Sequence, residues 1–497
     1  MYNSRMSKFF AQSAFFHRLW DIIIPFLTWF LITLPMWLSF FHPAIVSYFI
    51  ISFDLYFFYK SIMTTYLATI SYLKIMKYSK INFMKKLEKY KDADKLAHFI
   101  IIPNYKEQVY KLESAIRSIV NNDYSHKNMH LVLAFESREI EAEQKAEKLI
   151  EKYKESFADI LCAYHPLTED EVPGKASNQT YAAKIVDSYV LEHGMDRKNV
   201  IITISDADSH FASNYFSYLT YEYLRDVDRL FHFYWAPVLL YNNFNQLPIF
   251  VRIQATLSSI VRLAFLSQTE QLIHTSTYST NLWLLQSINF WDVDIIPEDW
   301  HIYFQAFFAH GEKVKTLPLY TIVNGDAVYS GGVIKTFLNR YDQEKRWAWG
   351  ATDIGYTLKR FFNTPTIPPM VKLKKILFLM ETHLLWPTSF FILTLSASIP
   401  PLVNPLFKKT VLGFLLPQLS GLILTFSSGL LILFIYLDLK LRHRLNIKTR
   451  TLAYPFIVIQ WYFLPVVSFF LSSLPALEAH TRLLLGKKIK YKVTEKV

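Results

Sequence analysis

The stretch "NVIITISDADSH", Asn199 to His210, decides the fold predicted for this chain. Its first half has the β-branched, apolar composition of a buried strand, and it ends at two aspartates. Three similar runs precede it: "HFIII" from His98, "HLVLAF" from His130 and "ADILCAY" from Ala158. Segments with helical character lie between them, at 109–120, 139–154 and 176–190. Strands alternating with helices predict an α/β domain with a parallel sheet covered on both faces, whose ligands bind beyond the carboxyl ends of the strands.

The two aspartates, Asp206 and Asp208, should therefore stand at the ligand-binding edge. Two carboxylates one residue apart in a turn can share Mg²⁺ or Mn²⁺ with the oxygens of a diphosphate. The alternative is an ordinary turn, where aspartate is common. A second pair, Asp292 and Asp294, follows no buried run, and we interpret it as loop.

A third acidic pair lies in "IIPEDW", from Ile295 to Trp300. Pro297 is typical of a helix start, and Glu298 and Asp299 fall in the first turn, where the helix dipole favours anions. One interpretation is simply a terminal charge pair. The functional interpretation is that Asp299, partly desolvated, acts as a general base.

Two further motifs could bind a phosphorylated ligand. "PGKASN" offers Lys175 and Asn178 to a phosphate and a sugar hydroxyl, or else it merely begins a helix. "QEKRW" contains Gln343, the planar fork of Arg346, which suits two diphosphate oxygens, and Trp347, against which a sugar ring can stack. The alternative for this motif is an amphipathic helix with a buried indole.

Apolar residues make up 52% of the 497-residue chain and concentrate at its two ends. A spanning helix needs about 20 apolar residues, and the candidate runs are Ile22 to Phe41, Ala44 to Tyr59, Leu384 to Val403, Val411 to Tyr436 and Leu452 to Leu474. The predicted organisation is a membrane region at 1–71, a catalytic domain at 72–370, an interfacial helix and second membrane region at 371–475, and a further interfacial helix with a tail at 476–497.

The net charge of +12 is concentrated beside the apolar runs, which argues against a nucleic-acid partner. Basic flanks are typical of the cytoplasmic side, so we predict an integral membrane protein with a cytoplasmic domain. The single cysteine, Cys162, agrees with a reducing compartment. Five crossings would put the basic tail outside, so we expect the fifth run, which contains Pro455 and Pro465, to be broken or re-entrant and the tail to be inside.

Taken in order, these motifs resemble those of the membrane-bound processive glycosyltransferases of family 2, such as the cellulose, hyaluronan and chitin synthases. "PNYKE", "PGKASN", "SDAD", "PED" and "QEKRW" follow the order of the family pattern. The final "YKVTEK" resembles the gating loop of cellulose synthases. Each motif is weak alone, but six in the right order between membrane segments are specific.

The resemblance implies a Rossmann-like GT-A domain, a nucleoside-diphosphate sugar donor, with a UDP-sugar favoured, and an inverting single displacement. It makes Asp299, beside Glu298, the catalytic base, and it makes Asp208, with Asp206, the site for Mg²⁺ or Mn²⁺. Donor binding is assigned to Pro103, Tyr105, Glu107, Glu136, Lys175, Asn178 and Asp206. Contacts to the leaving diphosphate and the acceptor are assigned to Gln343, Arg346 and Trp347. The gating residues would be Tyr491, Val493, Thr494 and Lys496.

The chain departs from the family pattern at several of these positions. Glu136 stands where the family often has an aspartate, which bears on nucleotide recognition. Pro297 replaces a threonine before the acidic pair, and Ala176 and Ser177 replace a small residue and a glycine. The stretch "HTSTYSTN", from His274, matches the acceptor motif only loosely. Acceptor identity is therefore the least constrained part of the resemblance.

Three functions remain open at this level. The first is a synthase that extends a β-linked polysaccharide and exports it across the membrane, alone, as a homo-oligomer or with an export partner. The second is a transferase that adds one sugar to a membrane lipid. The third, of another class, is a non-catalytic nucleotide-binding transporter or scaffold, which the acidic residues at 206, 208 and 299 disfavour.

Overall fold

The computed structural model describes residues 14–447 and 454–489 and is built around a seven-stranded mixed sheet with the order β3-β2-β1-β4-β8-β6-β9. A second sheet has the order β5-β10-β7. The strands are β1 Ala97–Asn104, β2 Met129–Glu136, β3 Asp159–His165, β4 Val200–Ile204, β5 His210–Phe211, β6 His232–Trp235, β7 Val238–Leu239, β8 Tyr278–Asn281, β9 Lys315–Pro318 and β10 Val323–Asn324.

The first four strands of the large sheet match the predicted runs and pair in parallel. The side chains of β1, β2 and β4 are almost all buried, as expected for a sheet covered on both faces, whereas those of the edge strand β3 are mostly half-buried. The pairing aligns Ile101 with Ile204 and Asn104 with Phe135, so three carboxyl ends meet at one edge. The segments that follow β1, β2 and β4 therefore lie side by side.

The remaining half of the sheet differs from the prediction, because β8 runs antiparallel to both β4 and β6. Its sequence, "YSTN", has no apolar run that would predict a strand, yet all four residues are buried. Hydroxyl pairing accounts for this burial: Thr203 and Ser279 lie 2.8 Å apart across the β4–β8 pair. Polar residues are tolerated inside a sheet when their hydrogen bonds are satisfied there.

Ten α-helices lie between α2 and the C-terminal helical region in the described part of the chain, and those predicted at 109–120, 139–154 and 176–190 are present and pack on the sheet. The ten are α3 Phe83–Leu87, α4 Val109–Val120, α5 Ala142–Tyr153, α6 Lys175–Glu192, α7 Tyr215–Arg225, α8 Ile249–Leu266, α9 Leu282–Ser287, α10 Glu298–His310, α11 Val333–Ala348 and α12 Thr352–Asn363. The pair Asp292 and Asp294 lies in a loop, as predicted.

The terminal regions form α1 Ala14–Leu38, α2 Pro43–Tyr78, α13 Pro369–Leu395, α14 Ile399–Val403, α15 Pro405–Lys408, α16 Val411–Gly429, α17 Leu431–Arg444, α18 Tyr454–Ile459, α19 Leu464–Ser468 and α20 Leu474–Leu484. Within the described residues, six helical segments are long and apolar enough to cross a membrane. Five correspond to the predicted runs, and the sixth is α8, at Ile249–Leu266. We did not predict α8, because Arg252, Gln254 and Arg262 interrupt its apolar residues.

The predicted interfacial helix at 371–381 is not a separate element. It forms the first part of α13, which continues without a break into the predicted membrane run. The C-terminal run is broken, as expected, into α18, α19 and α20 with 3₁₀ and π turns between them. Pro465 and Pro475 each stand in the first turn of one of these pieces, where proline is tolerated.

Both ends of the broken run lie at the same end of the helix bundle. Arg444, at the end of α17, donates to Ser79 just beyond α2. Arg18, near the start of α1, donates to the carbonyl of Leu484 at the end of α20, with a distance of 2.6 Å. Because α1 and α2 are joined by a short turn at their other ends, the start of α1 and the end of α2 mark the same side. The end of α17 and the end of α20 therefore both lie at the end of the helix bundle where the sheet domain lies.

Candidate active site

The carboxyl edge of the sheet opens onto a cavity of about 1010 Å³ that extends between the terminal helices. The predicted site residues within the described ranges all line it, although they span the chain from β1 to α11. They are Pro103, Tyr105, Glu107, Glu136, Lys175, Asn178, Asp206, Asp208, Glu298, Asp299, Gln343, Arg346 and Trp347. The gating-like residues Tyr491, Val493, Thr494 and Lys496 lie outside the described residues.

Lys175, the first residue of α6, joins the acidic pairs. Its ammonium lies 2.7 Å from Oδ1 of Asp206 and 3.2 Å from Oε1 of Glu298. Burial alone would lower the pKa of Lys175, but the two carboxylates raise it above its usual value, so the side chain is charged. A fixed positive charge thus stands between two negative groups that come from separate elements.

Ser276 organises the same point from the backbone. Its N–H donates to Oδ2 of Asp299 at 3.0 Å, and its carbonyl accepts from Lys175 at 2.7 Å. The φ of Ser276 is 60°, a left-handed conformation that is uncommon outside glycine. Such backbone strain persists only where the surrounding contacts over-determine it. The "HTSTYSTN" stretch therefore positions Asp299 and Lys175 through its main chain.

Asp299 lies at the N-terminus of α10 and also accepts from the N–H of Trp300 at 3.0 Å. Burial raises the pKa of the Asp299 carboxyl, while the Ser276 N–H and Lys175 oppose the shift. Burial likewise raises the pKa of Glu298, and the charge of Asp299 adds to that shift. A desolvated carboxylate held in one orientation is the arrangement expected of a general base.

Asp208 lies deeper along the same edge. Its Oδ2 accepts from the N–H of Asp326 at 3.0 Å, and its carbonyl accepts from Asn242 at 3.0 Å. No three acidic, histidine or cysteine side chains in residues 14–447 and 454–489 form a metal-binding cluster. Mg²⁺ at phosphate sites commonly uses only one or two carboxylates and completes its shell from phosphate and water. Asp206 and Asp208 fit that chemistry.

At the ends of β1 and β2, aromatic and charged groups form a wall. The guanidinium of Arg138 stacks 4.1 Å from the ring centre of Tyr105 and pairs with Glu136. Lys106, next to Tyr105, has a φ of 59° and its N–H donates to Glu139 at 2.8 Å. Arg138 thus packs against the Tyr105 ring, and Glu139 fixes the backbone beside it, so the ring is a fixed flat surface of the kind that can stack on a nucleobase.

Asn178 is largely engaged in holding the strand ends. Its amide donates to the carbonyls of Ala134 at 2.9 Å and Asn104 at 3.4 Å. Its Oδ1 is buried and has no hydrogen-bond partner in the described part of the chain. Asn178 lines the cavity, and its amide nitrogen is already engaged by the two carbonyls.

The "QEKRW" motif lies on α11 and has both packing and cavity-lining members. Gln343 accepts from Arg340, which also bonds Gln254 and Glu344 in a buried network between α8 and α11. Arg340 stands 4.7 Å and Arg262 5.4 Å from the ring of Trp347. Arg346 lines the cavity.

Several cavity residues were missed at the level of sequence, chiefly Arg262, Gln254 and Glu344. Arg262 lies on α8, and its NH1 donates to the carbonyl of Val238 at 3.2 Å. An arginine within an apolar helix is costly unless it is paired or functional, and this signal could have drawn attention to it. No periodicity would have placed it beside Trp347, because that contact joins segments some eighty residues apart.

No curated protein sequence matches the chain. The solved structures that are similar over most of its length include the following three. The mannosyltransferase PcManGT from Pyrobaculum calidifontis, in complex with GDP-Man and Mn²⁺, is 13% identical, with a TM-score of 0.40 over 78% of this chain and 99% of that one. TarS of S. aureus is 12% identical, with a TM-score of 0.35 over 67% and 53%. TarS 1-349 in complex with UDP-GlcNAc is 11% identical, with a TM-score of 0.37 over 71% and 93%.

A family model gives the decisive match. It covers residues 201–471, which is more than half of the chain and runs from β4 through the acidic residues of α10 and the "QEKRW" helix into the C-terminal membrane segments. The chain belongs to the glycosyl transferase family group 2.

Proposed function

We propose that the protein is an inverting GT-A glycosyltransferase that moves a sugar from a nucleoside-diphosphate sugar to an acceptor delivered from the membrane. The supporting observation is that Lys175, Asp206, Ser276, Glu298 and Asp299 make one set of contacts at the sheet edge. Residues from four separate segments converge there on a buried carboxylate. The proposed organisation is two helices, a cytoplasmic domain and a C-terminal membrane region, as predicted.

In this proposal Asp299 takes the proton of the acceptor hydroxyl as its oxygen attacks the anomeric carbon. The bond between that carbon and the diphosphate oxygen breaks, and the nucleoside diphosphate leaves from the opposite face, so the configuration inverts. Proton abstraction by a positioned carboxylate contributes a factor of about 10²–10⁴.

The departing diphosphate gains negative charge, which positively charged groups in the cavity would stabilise. Lys175 and Arg346 would hold its oxygens, and preorganised charges in a water-poor site act at greater strength than in water. Asp206 and Asp208 would hold Mg²⁺ or Mn²⁺, which when bound neutralises part of the diphosphate charge. Tyr105 would stack on the base, and Trp347 would face the sugar or acceptor.

Two acceptors are compatible with this proposal, a growing β-linked glycan that is exported and a membrane lipid. Either acceptor could reach Asp299 from the membrane side, because the cavity continues from Asp299 between α13, α16 and α19. Export of a glycan would need a homo-oligomer or an export partner to complete the channel, since few helices surround the cavity.

Nucleotide release tests the proposal. Purified protein in lipid vesicles is incubated with a panel of UDP- and GDP-sugars and with Mg²⁺, Mn²⁺ or EDTA. We expect release of nucleoside diphosphate from one donor, dependent on the metal and absent in the Asp299→Asn variant. A transporter or scaffold would bind nucleotide without release, and that result would overturn the proposal.

A further inference from the structure

The membrane part of the cavity differs in chemistry from its nucleotide end. Beyond the ion pair of Lys60 and Glu381, its walls come from α13, α16, α17 and α19 with the turn that follows, and the described lining residues of that part are uncharged. The apolar members are Leu385, Trp386, Phe390, Leu393, Leu424, Leu430, Leu431, Phe434, Leu464, Pro465 and Val467. The hydroxyl members are Ser389, Thr394, Ser427, Ser428, Ser468, Ser472 and Ser473.

Most of these hydroxyls already donate to backbone carbonyls, so they can accept a hydrogen bond from a ligand but have no proton left to donate. Ser389 donates to Leu385 at 2.6 Å, Ser428 to Leu424 at 2.8 Å and Ser473 to Trp386 at 3.0 Å. A glycan threaded through this part would find few donors for its many oxygen atoms, and unpaired polar groups are costly in a dry site. An aliphatic chain that enters from the bilayer has no such requirement.

The polar groups at the mouth indicate which end of a lipid would react. Asp299 is half-buried there, and Lys60 and Glu381 form an ion pair whose charges cancel. A carboxylate base benefits a neutral alcohol, which must lose a proton to become a nucleophile. The same carboxylate repels a phosphate headgroup, which is already ionised.

We infer that the acceptor is a hydroxyl-bearing membrane lipid, with its apolar chain between α13, α16 and α19 and its hydroxyl oxygen at Asp299. This inference rests on the proposed function. The lipid hydroxyl loses its proton to Asp299, its oxygen bonds to the anomeric carbon, and the carbon–diphosphate bond breaks. The products are a glycosylated lipid and a nucleoside diphosphate.

The test compares four sets of vesicles that contain wild-type protein and the donor found by nucleotide release, with the sugar radiolabelled. One set is dioleoylphosphatidylcholine alone, and the others add dioleoylglycerol, a polyprenol or a polyprenyl phosphate. We expect label in the chloroform phase only where a lipid alcohol is present. Label in high-mass water-soluble material, or on the polyprenyl phosphate, would overturn the inference. Nucleotide release in the same sets would still support the proposed function. Absence of release in every set, with nucleotide still bound, would overturn both.

Variants locate the acceptor. Leu393→Trp and, independently, Ser428→Trp fill the membrane part of the cavity, and each should lower lipid labelling by about tenfold or more, since small misplacements of a reactant are costly. Leu395→Trp, two residues from Leu393 on the same helix but exposed, is the matched control and should label lipid normally. Nucleotide binding reports folding in all three. Wild-type labelling in both cavity variants would contradict the inference.

Discussion

At the scale of single residues, the chemistry depends on Asp299 being half-buried and held ready to accept a proton. Two backbone N–H groups, from Ser276 and Trp300, point at its carboxylate. They favour the charged form, whereas burial, the larger effect, raises the pKa. The balance keeps Asp299 a stronger base than an exposed aspartate would be.

We predict that Asp299→Asn lowers kcat by a factor of about 10²–10⁴ with little change in nucleotide affinity, because the amide cannot accept the acceptor's proton. Nucleotide release and equilibrium nucleotide binding measure the two effects. In the wild type, kcat/KM should fall on the acid side with an apparent pKa above the ordinary aspartate value of 3.8, since protonation removes the base.

The control for this variant is Asp294→Asn, an exposed aspartate in a loop near the same helix. It should leave both kcat and the pH profile unchanged. Normal turnover in Asp299→Asn would remove Asp299 as the base and leave Glu298 as the remaining carboxylate of the pair.

Arg346 tests whether geometry or charge alone matters at the diphosphate. Arg346→Lys keeps the charge but loses the planar fork, so kcat should fall by about tenfold to a hundredfold, the value of one or two charged hydrogen bonds. Single-turnover rates with saturating donor measure this loss. Lys345→Arg, at the neighbouring position paired with Asp342, is the control. Unchanged turnover in Arg346→Lys would mean that the "QEKRW" motif only packs the helix and does not bind the diphosphate.

At the scale of elements, His301 ties the helix of the acidic pair to the helix after "QEKRW". Its Nδ1 lies 2.6 Å from Asp353 on α12 and its Nε2 lies 2.9 Å from Asp292 in the preceding loop. Burial alone would lower the pKa of His301, but the two carboxylates raise it to about 9. A protonated histidine between two carboxylates thus fixes α10, and with it Asp299, against α12.

The pH dependence of stability should show this link. Because the folded pKa of about 9 exceeds the ordinary 6.5, the contribution is complete below pH 6.5 and is lost as the pH rises through about 9. The wild type should therefore exceed His301→Gln in thermal stability at pH 6, by about 3 kcal/mol at most, with the difference shrinking toward pH 9.5. Thermal unfolding in detergent across this range measures it.

His310→Gln, at the far end of the same helix, is the comparison variant. Burial lowers the pKa of His310, so its contribution should not decline between pH 6.5 and 9. A pH-independent gap between wild type and His301→Gln would mean that His301 is neutral in the folded protein.

Elements differed in how far the sequence could predict them. The strands β1 to β4 were predictable because each is a continuous apolar run with a carboxylate or proline at its end. Strand β8 was not, since its buried groups are hydroxyls and an amide whose partners, such as Ser279 with Thr203, lie far away in sequence. Helix α8 was missed because its polar residues face the cavity and α11. In both cases tertiary hydrogen bonds replaced the local pattern.

The candidate site was predictable to the extent that its residues occur in short motifs. Motif order indicated that Lys175, Asp206 and Asp299 would share a cleft, and the structure places them within direct or nearly direct contact. The roles of Ser276 and Arg262 could not be read in the same way. One acts through its backbone conformation and the other through a stacking contact across the fold.

At the scale of the whole molecule, the arrangement of the C-terminal run determines on which side the chain ends. The contact of Arg18 with Leu484 places the end of α20 beside the start of α1. We propose that four helical segments cross the membrane and that the C-terminal run returns to the domain side. This topology would remove the conflict between five apolar runs and a basic tail, because Lys487 and Lys488 after α20 would lie on the side of the other basic flanks.

Cysteine labelling tests that topology in a background where the one native cysteine is replaced, Cys162→Ser. Burial raises the pKa of Cys162 to about 11, so its thiol reacts slowly and its removal should be silent. Single cysteines are then placed at exposed positions, Lys409→Cys between α15 and α16, Lys487→Cys after α20, and Lys148→Cys on the sheet domain. With a membrane-impermeant maleimide on intact cells, we expect only Lys409→Cys to react, and all three to react after permeabilisation. Reaction of Lys487→Cys in intact cells would mean that the last run crosses the membrane, and α20 could then not pack against α11 and α1 beside the active site.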